Sequence, residues 1–123
     1  MDPRSLPAGR DHLDPEDRTT LDRCERLAAD GRFAEAKDLV EGLWREANDA
    51  HKGLYRGLAN ALTAVCAQER GQVRGAREIA AATRAMLAPF PAQALGFDLH
   101  RLLAAVDARV ASGQGAVDLA VQD

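Results

Sequence analysis

The sequence predicts an all-α protein, a single compact bundle of about five helices built on antiparallel helical hairpins. Two stretches carry this prediction, because D-G-R-F-A-E-A (Asp30–Ala36) and R-G-Q-V-R-G-A (Arg70–Ala76) share one outline. In each, a Gly is followed two places on by an apolar residue and five places on by Ala. No segment alternates apolar and polar residues as a half-buried strand does, and 123 residues suit one domain.

The N-terminal part of the chain divides into a lead and a first helix. Residues 1–13 mix Pro, Gly and charged residues without a period, which predicts a disordered lead. Asp14 followed by Pro15 is a typical helix start, with a capping carboxylate and proline in the first turn. We expect the first helix to run to Asp30 and to stop at Gly31 in the left-handed conformation.

Two further helices follow with different apolar patterns. The second is expected from about Phe33 to Asn48, and Phe33 and Trp44 are its predicted core anchors because both lie on one apolar stripe. The third is expected from about Lys52 to Arg70. It is apolar around most of its circumference, which predicts a central position in the bundle.

The last part of the bundle contains two more predicted helices. The fourth is expected from about Val73 to Leu87 and is ended by Pro89-Phe90-Pro91. The fifth is expected from about Ala92 to Ala111. The bundle domain thus spans residues 14–112, and residues 113–123 form a tail that is either a short helix or a frayed end.

Composition and charge narrow the class of protein. Apolar residues make up 46% and charged residues 28%, with a net charge of −3, so nucleic acid is disfavoured as the main partner. No apolar run has the length of a membrane span. The N-terminus lacks the cationic start and apolar core of a secretory signal. We therefore expect a cytoplasmic protein with no membrane contact.

Helices two to four resemble a bacterial family known as domain of unknown function 309, over about Leu21 to Leu87. The residues that match its pattern are Phe33, Glu35, Ala36, Glu41, Trp44, Gly57, Leu58, Arg70, Gly71, Arg74, Gly75 and Ala76. The resemblance implies a compact helical bundle in a bacterial protein, with no established activity. Lys37-Asp38 stands where the family pattern has His-Glu, so a metal site built on that histidine would be lost here. The G-R-F-x-E-A stretch is also tetratricopeptide-like in local pattern.

Antiparallel packing of the second and third helices is expected to bring four polar side chains to one level. This candidate polar cluster consists of Asp38, Glu41, Arg56 and Asn60. It is either a binding or catalytic site in an apolar groove or, as we favour, an ion pair that fixes helix register. No His is available to complete a metal set, so no metal or cofactor is expected.

The remaining reactive residue types show no site pattern. His12 falls in the predicted lead, His51 in a predicted turn and His100 on the fifth helix, and they share no spacing that predicts a site. Cys24 and Cys66 lie within helical patterns without a C-x-x-C motif, so both are predicted to be small buried residues.

Three functions remain open from the sequence. We favour a non-catalytic module that binds another protein, or itself as a homodimer, through the apolar face of the fifth helix. This candidate interface consists of Leu95, Leu99, Leu102, Val106 and Val110. The second possibility is a small enzyme or metal-binding protein that uses the polar cluster. The weakest is RNA contact through an arginine stripe, Arg70, Arg74, Arg77 and Arg84, where the interleaved Glu69 and Glu78 favour a solvated face instead.

Overall fold

The computed structural model describes residues 2–112, and these confirm the all-α prediction. The helices are α1 (Pro15–Ala29), α2 (Phe33–Glu46), α3 (Asp49–Glu69), α4 (Val73–Leu87) and α5 (Leu99–Ser112). A short 3-10 helix, Pro3–Ser5, precedes them. The tail predicted at residues 113–123 lies outside the described residues.

The two glycine turns have the same backbone geometry. Gly31 after α1 has φ of 77° and Gly71 after α3 has φ of 79°, the left-handed region where a side chain is strained. After α1, the amide of Arg32 donates to the carbonyl of Leu27 over 2.8 Å, and the equivalent bond after α3 is 2.9 Å. Both turns are therefore Schellman motifs that satisfy carbonyls at the helix end, and each reverses the chain into an antiparallel neighbour.

The third helix occupies the centre of the bundle. α3 packs against α2, α4 and α5, and the 3-10 helix also contacts it. Gly57 permits the approach to α4, because a Cβ there would lie only 2.9 Å from Leu87 Cγ. None of the helices within residues 2–112 is both long enough and apolar enough to span a membrane.

A β-hairpin replaces the predicted start of the fifth helix. β1 (Gln93–Ala94) pairs antiparallel with β2 (Phe97–Asp98), and α5 begins only at Leu99. Leu95 and Gly96 form the turn with φ of 49° and 81°, the signs of a type I′ turn. Positive φ is unfavourable for Leu95, but its side chain is fully buried, which offsets the strain by about 1.5–3 kcal/mol.

The segment before α1 is ordered in the structure, where its composition predicts a disordered lead. Leu6 is buried in the core. The amide of Leu95 donates to the carbonyl of Pro7 over 2.9 Å, and that of Gly96 donates to Ala8. These contacts come from the β-hairpin, far along the chain. The composition of residues 1–13 therefore cannot predict them.

Arg10 fixes this segment in place with most of its side chain buried. Its guanidinium donates to the carbonyl oxygen of Leu95 over 2.6 Å and to Asp22 over 3.0 Å, and it also pairs with Glu25. It lies 4.7 Å from the centre of the Phe97 ring, within cation–π range. The lead and the hairpin are thus one packed unit.

The connection between α2 and α3 is shorter than predicted. α2 ends at Glu46, and α3 begins at Asp49 rather than at Lys52. Asn48 is the cause, because its side-chain oxygen caps α3 by accepting the amide hydrogen of His51 over 3.4 Å. His51 consequently belongs to the first turn of α3 and not to a loop.

Candidate functional site

Of the four residues of the predicted polar cluster, the two carboxylates share Lys37, and Asn60 lies apart from them. Asn60 faces α4, where its side-chain amide donates to Thr83 Oγ1 over 2.9 Å. Asp38 is exposed, and Glu41 accepts a hydrogen bond from Lys37 over 3.3 Å along α2 itself. Within residues 2–112 the structure therefore separates Asn60 from the carboxylates, so the four side chains do not form one enzyme or metal site.

The fourth member of the cluster, Arg56, is exposed and lies 6.0 Å from the centre of the Trp44 ring. Trp44 is only partly buried against the core, whereas Phe33 is 4% exposed. Arg109 lies 5.5 Å from the centre of the Phe33 ring. Of the two predicted core anchors, Phe33 is thus a full core residue, whereas Trp44 lies at the edge of the core.

The residues of the candidate interface are buried within the bundle. Leu95, Leu99, Leu102, Val106 and Val110 are each at most 4% exposed. Leu95 belongs to the hairpin turn, and the other side chains face the core from α5, which packs on α3 and α4. The apolar periodicity correctly marks a buried face, but the partner of that face is the same chain.

The arginine stripe is exposed, and two of its four members lie beside a carboxylate. Arg74 lies 3.4 Å from Glu78 one turn along α4, and Arg84 pairs with Asp107 of α5. Such exposed pairs each contribute at most about 1 kcal/mol to stability. This arrangement is that of a solvated surface with mixed charge rather than a phosphate-binding stripe.

A cleft lies elsewhere, where the lead, α1, α2 and the start of α3 meet. Its volume is about 660 Å³, within the range of small-ligand sites. Its apolar wall consists of Leu13, Leu39, Leu43 and Ala47. Its acidic residues are Asp14, Glu16, Asp17, Asp38 and Glu46, and no Lys or Arg among the described residues lines it. Of the predicted cluster, only Asp38 contributes to this cleft.

Two histidines meet in the wall of the cleft. His12 Nε2 lies 3.0 Å from His51 Nε2, and the two ring centres are 5.3 Å apart. His51 is 7% exposed. Burial, then the charge of His12, lowers the pKa of His51 below its usual 6.5, while Asp17 acts in the opposite direction. Sequence spacing contains no signal for this pair, because folding brings it together across 39 residues.

Tyr55 lies one helical turn after His51 and also lines the cleft. It is 2% exposed, yet its hydroxyl has no hydrogen-bond partner within residues 2–112. Burial, and then the charge of Asp17, raises the pKa of Tyr55 to about 12. Buried hydroxyl groups are normally bonded, so this hydroxyl is an unsatisfied group beside the cleft, with less than 1 Å² of its oxygen exposed.

The cleft carboxylates repel one another. Burial raises the pKa of Asp17 above its usual 3.8, and the nearby charges of Asp14, Glu16 and Glu46 raise it further. Within the described chain, no Lys or Arg lies within ion-pair distance of Glu16, Asp17 or Glu46. The cleft consequently favours a positive group.

Neither cysteine belongs to the site. Cys24 and Cys66 are free and buried, as predicted. Burial raises the pKa of Cys24 to about 12, and it also raises the pKa of Cys66. Because the thiolate is the reactive form, neither residue is suited to nucleophilic chemistry near neutral pH.

Comparison with known families gives a match over part of the chain, from α1 to α4. Residues 21–79 match the model of the family described as Domain of unknown function (DUF309). The resemblance inferred from Phe33, Trp44 and the second glycine turn is therefore confirmed. The match includes His51 and Tyr55, but it does not include the lead with His12 or the β-hairpin. The curated proteins and the solved structures gave no match.

Proposed function

We propose that this DUF309 protein is a non-catalytic module of the bacterial cytoplasm that binds a basic segment of a partner protein in the acidic cleft. The observation that carries the proposal is the charge of the lining, which has five carboxylates and no Lys or Arg among the described residues. Complementary charge favours encounter with a cationic partner and disfavours others.

The folding of the helices accounts for only part of this charge. Asp14 caps α1, and Glu16 and Asp17 lie in its first turn, where the helix dipole favours carboxylates. Glu46 is different, because it is the last residue of α2, at the negative end of the dipole. Its charge is unfavourable for the helix and raises the pKa of Asp17 across the cleft, which supports a role in binding.

The apolar wall favours a peptide side chain over a bare cation. Leu39 and Leu43 lie one turn apart on α2 and are partly buried against the core. The aliphatic stem of Lys or Arg packs on such a surface while its charged end reaches a carboxylate. A segment that carries Lys or Arg beside leucine-like residues therefore fits both halves of the cleft.

Two observations support the non-catalytic and cytoplasmic parts of the proposal. Asn60 of the predicted polar cluster contacts Thr83 of α4, whereas Asp38 lies beside Lys37 on α2, and both cysteines are buried thiols. Free thiols are the usual state of cysteine in a reducing compartment.

Isothermal titration with a short capped peptide that mixes Lys and Arg with Leu tests the proposal. The titration contains a chelator, so that trace metal does not contribute. We expect binding that weakens as salt is raised, because salt screens exposed charges. The double variant Glu16→Gln, Glu46→Gln should bind roughly tenfold more weakly, at about 1 kcal/mol or less for each exposed charge.

The matched control is Glu78→Gln, which removes a carboxylate from α4 outside the cleft and should leave the affinity unchanged. Equal binding by the double variant would contradict the proposal. So would spermidine binding as tightly as the peptide, since the apolar wall would then contribute nothing. A homodimer that the double variant abolishes would make the partner a second copy of the chain and overturn the choice of a different protein.

A further inference from the structure

His12 and His51 share a hydrogen bond between their Nε2 atoms, and an ion that displaced its hydrogen would have both nitrogens as ligands. Zinc binds imidazole nitrogen at about 2.0–2.1 Å, so two histidines on a tetrahedral ion have nitrogens about 3.3–3.4 Å apart. The two Nε2 atoms are 3.0 Å apart. A shift of a few tenths of an ångström therefore suffices, and His12, which is exposed, is free to make it.

Asn48 fixes His51 in the form that binds metals. Asn48 Oδ1 accepts the backbone amide of His51 over 3.4 Å, which identifies this atom as the oxygen of the side-chain amide. The same oxygen lies 2.8 Å from His51 Nδ1, so Nδ1 must carry the hydrogen. The lone pair is then on Nε2, toward His12. Histidine ligands commonly donate their other ring hydrogen in this way.

The surroundings of the pair also favour an ion. The carboxylates of the cleft supply negative potential without occupying the histidine nitrogens, and Glu46 and Asp17 carry no counter-cation within the described chain. Tyr55, whose buried hydroxyl has no hydrogen-bond partner within residues 2–112, also lines the cleft. These observations are independent of the histidine geometry.

We propose that His12 and His51 bind one divalent ion of the late first-row transition series, of which Zn²⁺ is the probe, with Asn48 as the positioning residue. Imidazole ligands suit Ni²⁺, Cu²⁺ and Zn²⁺, whereas Mg²⁺ and Ca²⁺ prefer oxygen. Among the described residues, no group of three or more His, Cys, Asp or Glu could hold a metal. Water or an incoming ligand therefore completes the coordination, and with two protein ligands instead of the four of a structural zinc site the ion is exchangeable.

The inference goes beyond the proposed peptide binding and does not depend on it. The full chain is stripped of metal with a chelator, dialysed and titrated with Zn²⁺ alone at pH 7.5 by calorimetry. Long-range ¹H–¹⁵N spectra of the imidazole rings provide a second readout. We expect one Zn²⁺ per chain and a change of the Nε2 resonances of His12 and His51, with those of His100 unchanged.

Three variants locate the ion. His12→Gln should lower the Zn²⁺ affinity at least tenfold, and its exposed position makes it the variant that keeps the fold. Asn48→Ala should lower the affinity roughly tenfold, as expected for a residue that orients a ligand. His100→Gln, an exposed histidine on α5 outside the cleft, is the matched control and should bind as the wild type does.

Three results would overturn the inference. The first is no Zn²⁺ binding by the wild type, and the second is equal binding by His12→Gln. The third is Mg²⁺ binding as tightly as Zn²⁺, which would place the ion on carboxylates. Because the peptide titration contains a chelator, failure of the metal site leaves the proposed peptide binding intact, and the reverse also holds.

Discussion

At the scale of single residues, the environment of His51 makes the stability of the fold depend on pH. The folded state holds the pKa of His51 below 6.5, first through burial and then through the charge of His12. Below pH 6.5 the unfolded chain therefore binds a proton more readily than the folded chain does. The contribution of His51 is complete above this pH and is lost as the pH falls through the folded pKa.

We expect the free energy of unfolding, measured by urea denaturation in chelator, to fall as the pH is lowered from 7.5 to 5.5. Replacement of His51 by Gln should flatten this part of the curve. The control His100→Gln should retain the wild-type dependence, because His100 is exposed on α5. A wild-type curve that rises toward lower pH over this window would contradict the assignment.

Single residues also show where sequence is informative. The buried Phe33 and the two buried cysteines follow from helical periodicity, because each lies on an apolar stripe of its own helix. The contact between His12 and His51 does not, since it depends on how the lead folds onto the start of α3. For Asn60, periodicity gives a face of α3 but not the helix that covers that face. The sequence predicts a contact with α2, whereas Asn60 contacts Ile79 of α4.

At the scale of elements, the glycine turns were predictable and the hairpin was not. Gly31 and Gly71 each end an apolar-periodic helix, a strong local signal for a left-handed stop. The hairpin turn has Leu95 in a position where Asn, Asp or Gly is usual. Burial of Leu95 and the hydrogen bonds that the amides of Leu95 and Gly96 donate to the carbonyls of Pro7 and Ala8 stabilise it. Neither is visible in the local sequence.

The close approach of α3 and α4 leads to a prediction at Gly57. Gly57→Ala should lower the free energy of unfolding by about 1–3 kcal/mol, because the new methyl group overlaps the buried Leu87. Gly75→Ala in α4 is the matched control. A Cβ there meets no atom within 4 Å, so the change should stabilise by up to about 1 kcal/mol through helix propensity. Denaturant melts of both variants measure the difference, and an equal gain for Gly57→Ala would contradict the packing described.

The lead and the hairpin should lose their order together when Arg10 is removed. Arg10→Ala deletes hydrogen bonds to Leu95 and Asp22 and the contact with Phe97, so we expect a loss of about 2 kcal/mol. Faster hydrogen exchange at the amides of Leu95 and Gly96 should accompany it. Arg4→Ala is the control, since Arg4 is exposed in the same segment. Unchanged exchange in Arg10→Ala would show that the lead does not depend on this side chain.

At the scale of the whole molecule, the described charges are distributed unevenly. The cleft gathers carboxylates with no Lys or Arg in its lining, whereas Arg74 and Arg84 of α4 are partnered by Glu78 and Asp107. The net charge of −3 gives no sign of this separation, since it sums over the whole chain. The sequence was thus sufficient for the bundle and for its resemblance to the family over residues 21–79, but the location of the cleft required the packing of the lead onto α1 and α3.

The most direct test of the central claim, that the acidic cleft is the binding site, is a map of amide chemical shifts during titration with the basic peptide in chelator. We predict that the largest shifts cluster at Asp17, Leu43, Glu46 and His51, the residues that face one another across the cleft. Shifts that cluster instead along α4 and α5, or a peptide that shifts no cleft resonance at low salt, would contradict it.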